Sequence, residues 1–212
     1  MKAAAPIERG EGVNAAMHDS LAIIKAEHRA FAVVINALDS LVTQIRDKTI
    51  NPDFKLLWSM LYYIEAFPEK LHHPKEDRYL FARIRLRTHE GDELLDELVR
   101  QHRVGEERIR NLQLALGHFV TGKRGGFETF AMAVERFTAM AHEHMSLEER
   151  DAFALAERHL MPADWKATRK AFQQNRDPLT GVAAGADQEF GRLFAQIVSV
   201  APAPLRQGSL SR

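Results

Sequence analysis

Along four long segments of this chain, apolar residues recur at steps of three and four, and in each segment a histidine takes an inward position. Such spacing marks a helix with one buried stripe, whereas a half-buried strand would alternate. The first stripe runs Leu21, Ile24, His28, Phe31, Ile35, Leu38, Val42. The second holds Leu57, Leu61, Ile64, His72, Glu76 and Leu80. The third is Leu95, Leu98, His102, Gly105, Ile109, Leu112, Leu116. The fourth is Phe130, Val134, Phe137, Ala141, His144, Glu148, then Leu155. The stripes predict long helices over 15–47, 53–87, 92–120 and 127–160, with shorter ones over 164–175 and 187–199.

Turn residues separate these segments. Asn51-Pro52-Asp53, Glu90-Gly91-Asp92, Gly122-Lys123-Arg124-Gly125-Gly126 and Met161-Pro162-Ala163-Asp164 read as connections. Four long helices joined by short loops predict an all-α fold, an up-down-up-down antiparallel four-helix bundle with a short helical C-terminal extension. The expected organisation is a flexible tail over 1–13, the bundle over 14–160, and the extension and its tail over 161–212. Asp164-Trp165, Phe172, Asp177-Pro178-Leu179 and Phe190-Gly191-Arg192-Leu193-Phe194 give the extension apolar residues that could cover one bundle end or form a homodimer contact.

Burying an unpaired polar group costs roughly 1–3 kcal/mol, and an ionised carboxylate far more. Four histidines and at least two glutamates on inward stripes therefore require compensation, and a bound cation supplies it. The spacing sharpens this expectation. His72 and Glu76, His102 and Glu106, and His144 and Glu148 are each four residues apart. Four residues turn a helix by about 400°, so each pair projects from one face a turn apart. Imidazole nitrogen with carboxylate oxygen suits iron, manganese or zinc. Seven candidate ligands (His28, His72, Glu76, His102, Glu106, His144 and Glu148) are too many for one metal and suit two bridged by carboxylates. The ten histidines include His18, His89, His118 and His159, which read as surface residues. His73 and His142 stand beside the candidate ligands as supporting groups or alternative ligands. Pro74 cannot donate to the carbonyl of Lys70, so a kink or local unwinding is expected there, one that could aim His73 inward.

Composition removes other classes. Lys plus Arg and Asp plus Glu are each 29, with no basic stripe for nucleic acid or an anionic membrane surface. The absence of cysteine excludes disulfides, thiolate metal sites and cysteine nucleophiles. There is no Gly-x-Ser-x-Gly elbow and no phosphate-cradling glycine loop. No apolar run approaches a membrane span, and the first residues lack the apolar centre of a signal peptide. The cytoplasm is the expected location.

Ile24-Lys25-Ala26-Glu27-His28-Arg29-Ala30-Phe31, the run Phe67-Pro68-Glu69-Lys70-Leu71-His72-His73-Pro74-Lys75-Glu76-Asp77-Arg78-Tyr79-Leu80-Phe81, Gln101-His102 with Glu106, and His144-Met145-Ser146-Leu147-Glu148-Glu149 together resemble a bacterial hemerythrin-like protein of the HHE cation-binding type. The resemblance spans about residues 14–160. It implies a four-helix bundle holding two non-heme iron ions. His28, His72, His102 and His144 would be terminal ligands and Glu76 and Glu148 bridging carboxylates, with Glu149 an alternative to Glu148. Oxygen carriers of the family have a second histidine four residues after the first on helix three, where this chain has Glu106. A carboxylate at that point implies a more oxidising type of site. The resemblance thus implies binding or reduction of a small oxidant, O2, peroxide or NO, within a dry wall of Phe31, Phe137, Ile109 and Leu112. The competing expectations are a non-catalytic iron or oxygen sensor that signals to a protein partner through the extension, and a metal-free helical interaction protein.

Overall fold

A computed structural model describes residues 11–175 and Leu179. The described residues form helices without strands. Helix α1 is Glu11–Arg46. Helix α2 spans 54–87 and opens at Asp53, whose carboxylate accepts the Leu56 N–H at 3.0 Å, a standard N-cap. Helix α3 is Asp92–Val120, α4 spans 126–159, and α5 is Pro162–Phe172. Gly91, at φ 85°, starts α3 in a left-handed conformation that glycine adopts without strain. A β-carbon there would also sit 2.3 Å from Leu155.

Helices α1 to α4 pack as a closed ring, each against the next and α4 back on α1. With short connections this is the antiparallel bundle the stripes predict. The first helix starts at Glu11, earlier than its stripe predicts, so the end of the expected 1–13 tail is helical. The expected helix over 187–199 and the tail beyond it lie outside the described residues.

Two of the helices are not α-helical throughout. In α2, π-helical turns occupy Glu65–His72 and Glu76–Phe81, with the α-turn His73–Lys75 between them. In α4, Glu148–Ala152 is π-helical. The wider i→i+5 turn slows the rotation of side chains around the axis, and such turns gather at functional sites. Pro68 and Pro74 lie within this stretch of α2, where each removes an N–H from the ladder. The expected disturbance at Pro74 is thus a change of helical pitch.

The core falls into two apolar clusters. One holds Phe31, Val34 and Leu38 of α1, Leu57 and Leu61 of α2, Ile109 and Leu112 of α3, and Phe130 and Phe137 of α4. The other holds Leu21, Ile24, Phe81, Leu95, Leu98, Phe153, and Trp165 and Phe172 of α5. His28 sits between Ile24 and Phe31, and His102 between Leu98 and Ile109, so a polar layer separates the clusters. Helix α5 lies along α1 and against α2. It is held by Asp164, which accepts from Arg83 at 3.1 Å and Arg87 at 2.8 Å, and by Thr168, which donates to the Tyr79 carbonyl at 2.7 Å. No helix among the described residues is long and apolar enough to cross a membrane.

Candidate metal centre

The polar layer is built from all four helices of the ring. His28 of α1 and His72 of α2 bring their Nε2 atoms to 3.0 Å. His102 of α3 and His144 of α4 do the same, also at 3.0 Å. Glu76 and Glu148 lie between the two pairs, with no solvent exposure. Oε1 of Glu76 is 3.2 Å from His72 and 3.6 Å from His28, and its Oε2 is 3.7 Å from His102. Oε2 of Glu148 is 3.3 Å from His28, and its Oε1 is 3.2 Å from His144 and 3.5 Å from His102. Each carboxylate therefore turns one oxygen to each histidine pair.

His73 joins the second pair. One donor atom each from His73, Glu76, His102 and His144 falls within a 4.8 Å sphere of mutual distances, as do donors from His28, His72 and Glu76. Its ring stacks on His102 with centroids 4.2 Å apart. In an ideal α-helix, His73 would be turned about 100° from His72; the π-helical turns on either side bring both rings inward.

The outer nitrogens show what the inner ones must do. Nδ1 of His28 donates to Glu149 at 2.8 Å, His72 to Glu27 at 2.7 Å, His73 to Glu69 at 3.3 Å, His102 to Asp77 at 2.8 Å and His144 to Gln101 at 2.9 Å. Carboxylate and amide oxygens accept, so Nδ1 carries the proton and Nε2 of the neutral ring presents a lone pair. Two lone pairs 3.0 Å apart repel. None of the four oxygens of Glu76 and Glu148 receives a hydrogen bond. Only protons or cations can reconcile these groups, and a histidine with Nδ1 tied to a carboxylate is the usual form of a metal ligand. The donor set of nitrogen and carboxylate oxygen fits iron, manganese or zinc.

Without a cation, protons take that place. Burial alone would lower the pKa of His72, but the Glu76 charge and the hydrogen bond to Glu27 raise it to about 9. Burial likewise opposes, and Asp77 and Glu148 outweigh it, at His102, which reaches about 10. His28 also rises well above its ordinary value, as Glu148, Glu149 and Glu76 outweigh its burial. Burial and the neighbouring His102 charge push His73 down to about 4, so it stays neutral. Burial and the Glu148 charge would raise Glu76, yet the histidines hold it down to about 2; Glu148 is also held well below the carboxylate range, against its burial, chiefly by the His144 charge.

The structure thus brings together His28, His72, Glu76, His102, His144 and Glu148. It does not bring Glu106. That side chain is 65% exposed and faces Arg110 at 3.8 Å. Steps of three and four alternate along the α3 stripe, and the inward step after His102 is three, to Gly105. The buried carboxylate facing Gly105 comes instead from α2: a β-carbon at Gly105 would sit 2.0 Å from Oε2 of Glu69. With Glu106 in solvent and His73 inside, the inference of an unusually carboxylate-rich centre loses its basis. Glu149 supports His28 from outside, and His142 is exposed and bonds Asn36 at 2.9 Å.

Sequence reasoning missed Glu27, Glu69, Asp77 and Gln101. Three of them adjoin a candidate ligand, a signal that was present, but each holds a histidine on a different helix. The Gly105 contact carries a prediction. Gly105→Ala should drive Glu69 away from Nδ1 of His73 and weaken metal binding at the His73–His102–His144 set by about 10-fold or more, the usual cost of losing such a partner. Calorimetric metal titration would read this, and an unchanged affinity would refute it.

A family model described as the hemerythrin HHE cation-binding domain matches residues 19–156. No curated protein and no solved structure matched the chain.

Proposed function

Given that the chain belongs to the hemerythrin HHE cation-binding family, we propose that it is a non-heme di-iron protein that binds or reduces a small oxidant: dioxygen, peroxide or nitric oxide. The observation that carries this reading is the pair of donor sets sharing both carboxylates. One set has His28 and His72, the other His73, His102 and His144, and Glu76 and Glu148 offer one oxygen to each. An iron pair, when bound, would supply the electrons for oxidant chemistry. The protein's own part is to fix the donors, exclude water and restrict what enters.

The two poles differ. The first has one histidine fewer, which leaves a position for an outside ligand. Beside it lies a cavity of about 20 Å³, bordered by Phe31, Tyr63, Phe67 and Met145 as well as His28 and His72. That volume accommodates something near the size of a water molecule. It suits diatomic molecules or peroxide. The Phe31 and Phe137 rings meet edge to face, with centroids 6.3 Å apart, and line the dry side of the layer. The Nδ1 hydrogen bonds fix each ring's orientation and raise the basicity of its inner nitrogen.

Elemental analysis of freshly purified protein should give about two irons per chain. Near-zero metal that ferrous iron does not restore would overturn the reading and leave a helical interaction protein with buried histidines. Peroxide consumption then separates turnover from binding: a rate no greater than that of free iron would reduce the function to reversible ligand binding or sensing.

A further inference from the structure

The hydrogen-bond support of the first pole is completed from outside the family-matched segment. Glu27 is buried, and its Oε2 takes two donors: Nδ1 of His72 at 2.7 Å and Nδ2 of Asn175 at 3.0 Å. Asn175 is itself buried. Its carbonyl oxygen accepts from Lys75 Nζ, which fixes the amide with its NH2 toward Glu27. Three residues earlier, Phe172 sets its ring edge-on to His72, with centroids 5.7 Å apart. Asn175 also lines the small cavity beside His28 and His72. The partners of the other pole, Asp77, Gln101 and Glu69, all belong to the bundle itself.

We infer that the C-terminal extension is a working part of the metal centre. Asn175 is a positioning residue that orients His72 through Glu27, and metal binding at the His28–His72 pole is thermodynamically linked to docking of residues 162–175. This inference rests on the proposed pair of metals. A carboxylate held by two donors has one orientation available; held by one, it can swing and take the imidazole with it. The link must work in both directions, because a contact that favours metal binding is favoured by it to the same extent.

The test is titration of the full-length chain, cleared of metal, with Mn2+ as a divalent probe of both poles, followed by calorimetry. Wild type should show two binding events. Asn175→Ala should weaken one of them by about 10–100-fold, the range for loss of a ligand's supporting partner, and leave the other unchanged. Asn175→Asp keeps the size of the side chain but sets a carboxylate against Glu27. It should weaken the same event at least as much, which a packing role would not produce. In wild type, Mn2+ should slow amide hydrogen exchange over residues 162–175, and both variants should lose that difference. If wild type shows no paired binding, the di-metal reading itself fails. Paired binding with unchanged affinities in both variants and metal-independent exchange over 162–175 would overturn the role of Asn175 alone.

Discussion

Glu148→Ala should strip the chain of both metals of the proposed pair at once. The carboxylate turns Oε2 toward His28 and Oε1 toward His102 and His144, so its loss removes one donor from each pole. It also removes one of the two buried negative charges that offset two divalent cations in a poorly solvated layer. Loss of a supporting partner alone costs 10–100-fold in affinity, and loss of a shared ligand should cost more than about 100-fold at each pole. Metal content should fall from about two per chain to near zero, and Glu76→Ala should behave alike. Glu106→Gln, out in solvent, should keep its full metal content and melting temperature. A Glu148→Ala protein that retained one tightly bound metal would show that the carboxylate serves a single pole.

The second large effect is an opposite response to pH with and without metal. In chelated protein, His72 and His102 are raised to about 9 and about 10 from an ordinary 6.5. A group raised in the folded state contributes stability that is complete below its unfolded value and disappears as pH climbs through the folded one. Glu76, held down to about 2 from 4.5, acts in the other sense: its contribution is present above 4.5 and lost toward pH 2. His73, pushed down to about 4, costs stability as pH falls below 6.5, so the chelated protein should be most stable near pH 6.5 and weaken both toward pH 9 and toward pH 4. Metal must displace the protons on His28, His72 and His102, so its affinity should rise with pH over the same interval. Melting curves at pH 6 and pH 8.5, with chelator or with Mn2+, should show the gap between the two forms widening at the higher pH. A gap that stays constant would mean that no protons leave when metal binds.

The bundle was legible because its stripes are long and keep to steps of three and four, and the turn residues fall where helices end. His28, His72, His102 and His144 stood out because each interrupts an apolar stripe. Two parts of the centre could not be read this way. His73 follows His72, and in an α-helix adjacent residues cannot share a narrow face; only the widened turns at Glu65–His72 and Glu76–Phe81 allow it. Pro74 marked the disturbance but not its form. Glu106 failed because i, i+4 spacing shows that two side chains share a helix face without showing which face is buried. Gly105, one residue earlier, was the better marker, since it is the place a carboxylate from the adjoining helix fills. The residues holding the outer nitrogens were hidden for a different reason: their partners are set by which helices are neighbours, and a stripe carries no such information.

Those outer hydrogen bonds have an order. Glu27 of α1 holds His72 of α2, Asp77 of α2 holds His102 of α3, Gln101 of α3 holds His144 of α4, and Glu149 of α4 holds His28 of α1. A four-helix bundle with short loops can circulate clockwise or counterclockwise with the same buried stripes, and apolar packing discriminates weakly between the two. The four acceptors do discriminate. Each stands beside its own helix's inward residue, offset toward one flank. Reversing the circulation would put every acceptor against the wrong neighbour and leave four imidazole N–H groups, or their buried acceptors, to find new partners. The same bonds that aim the imidazoles thereby act as a chirality lock on the whole domain, so that the hand of the bundle and the aim of its ligands are specified by one set of residues.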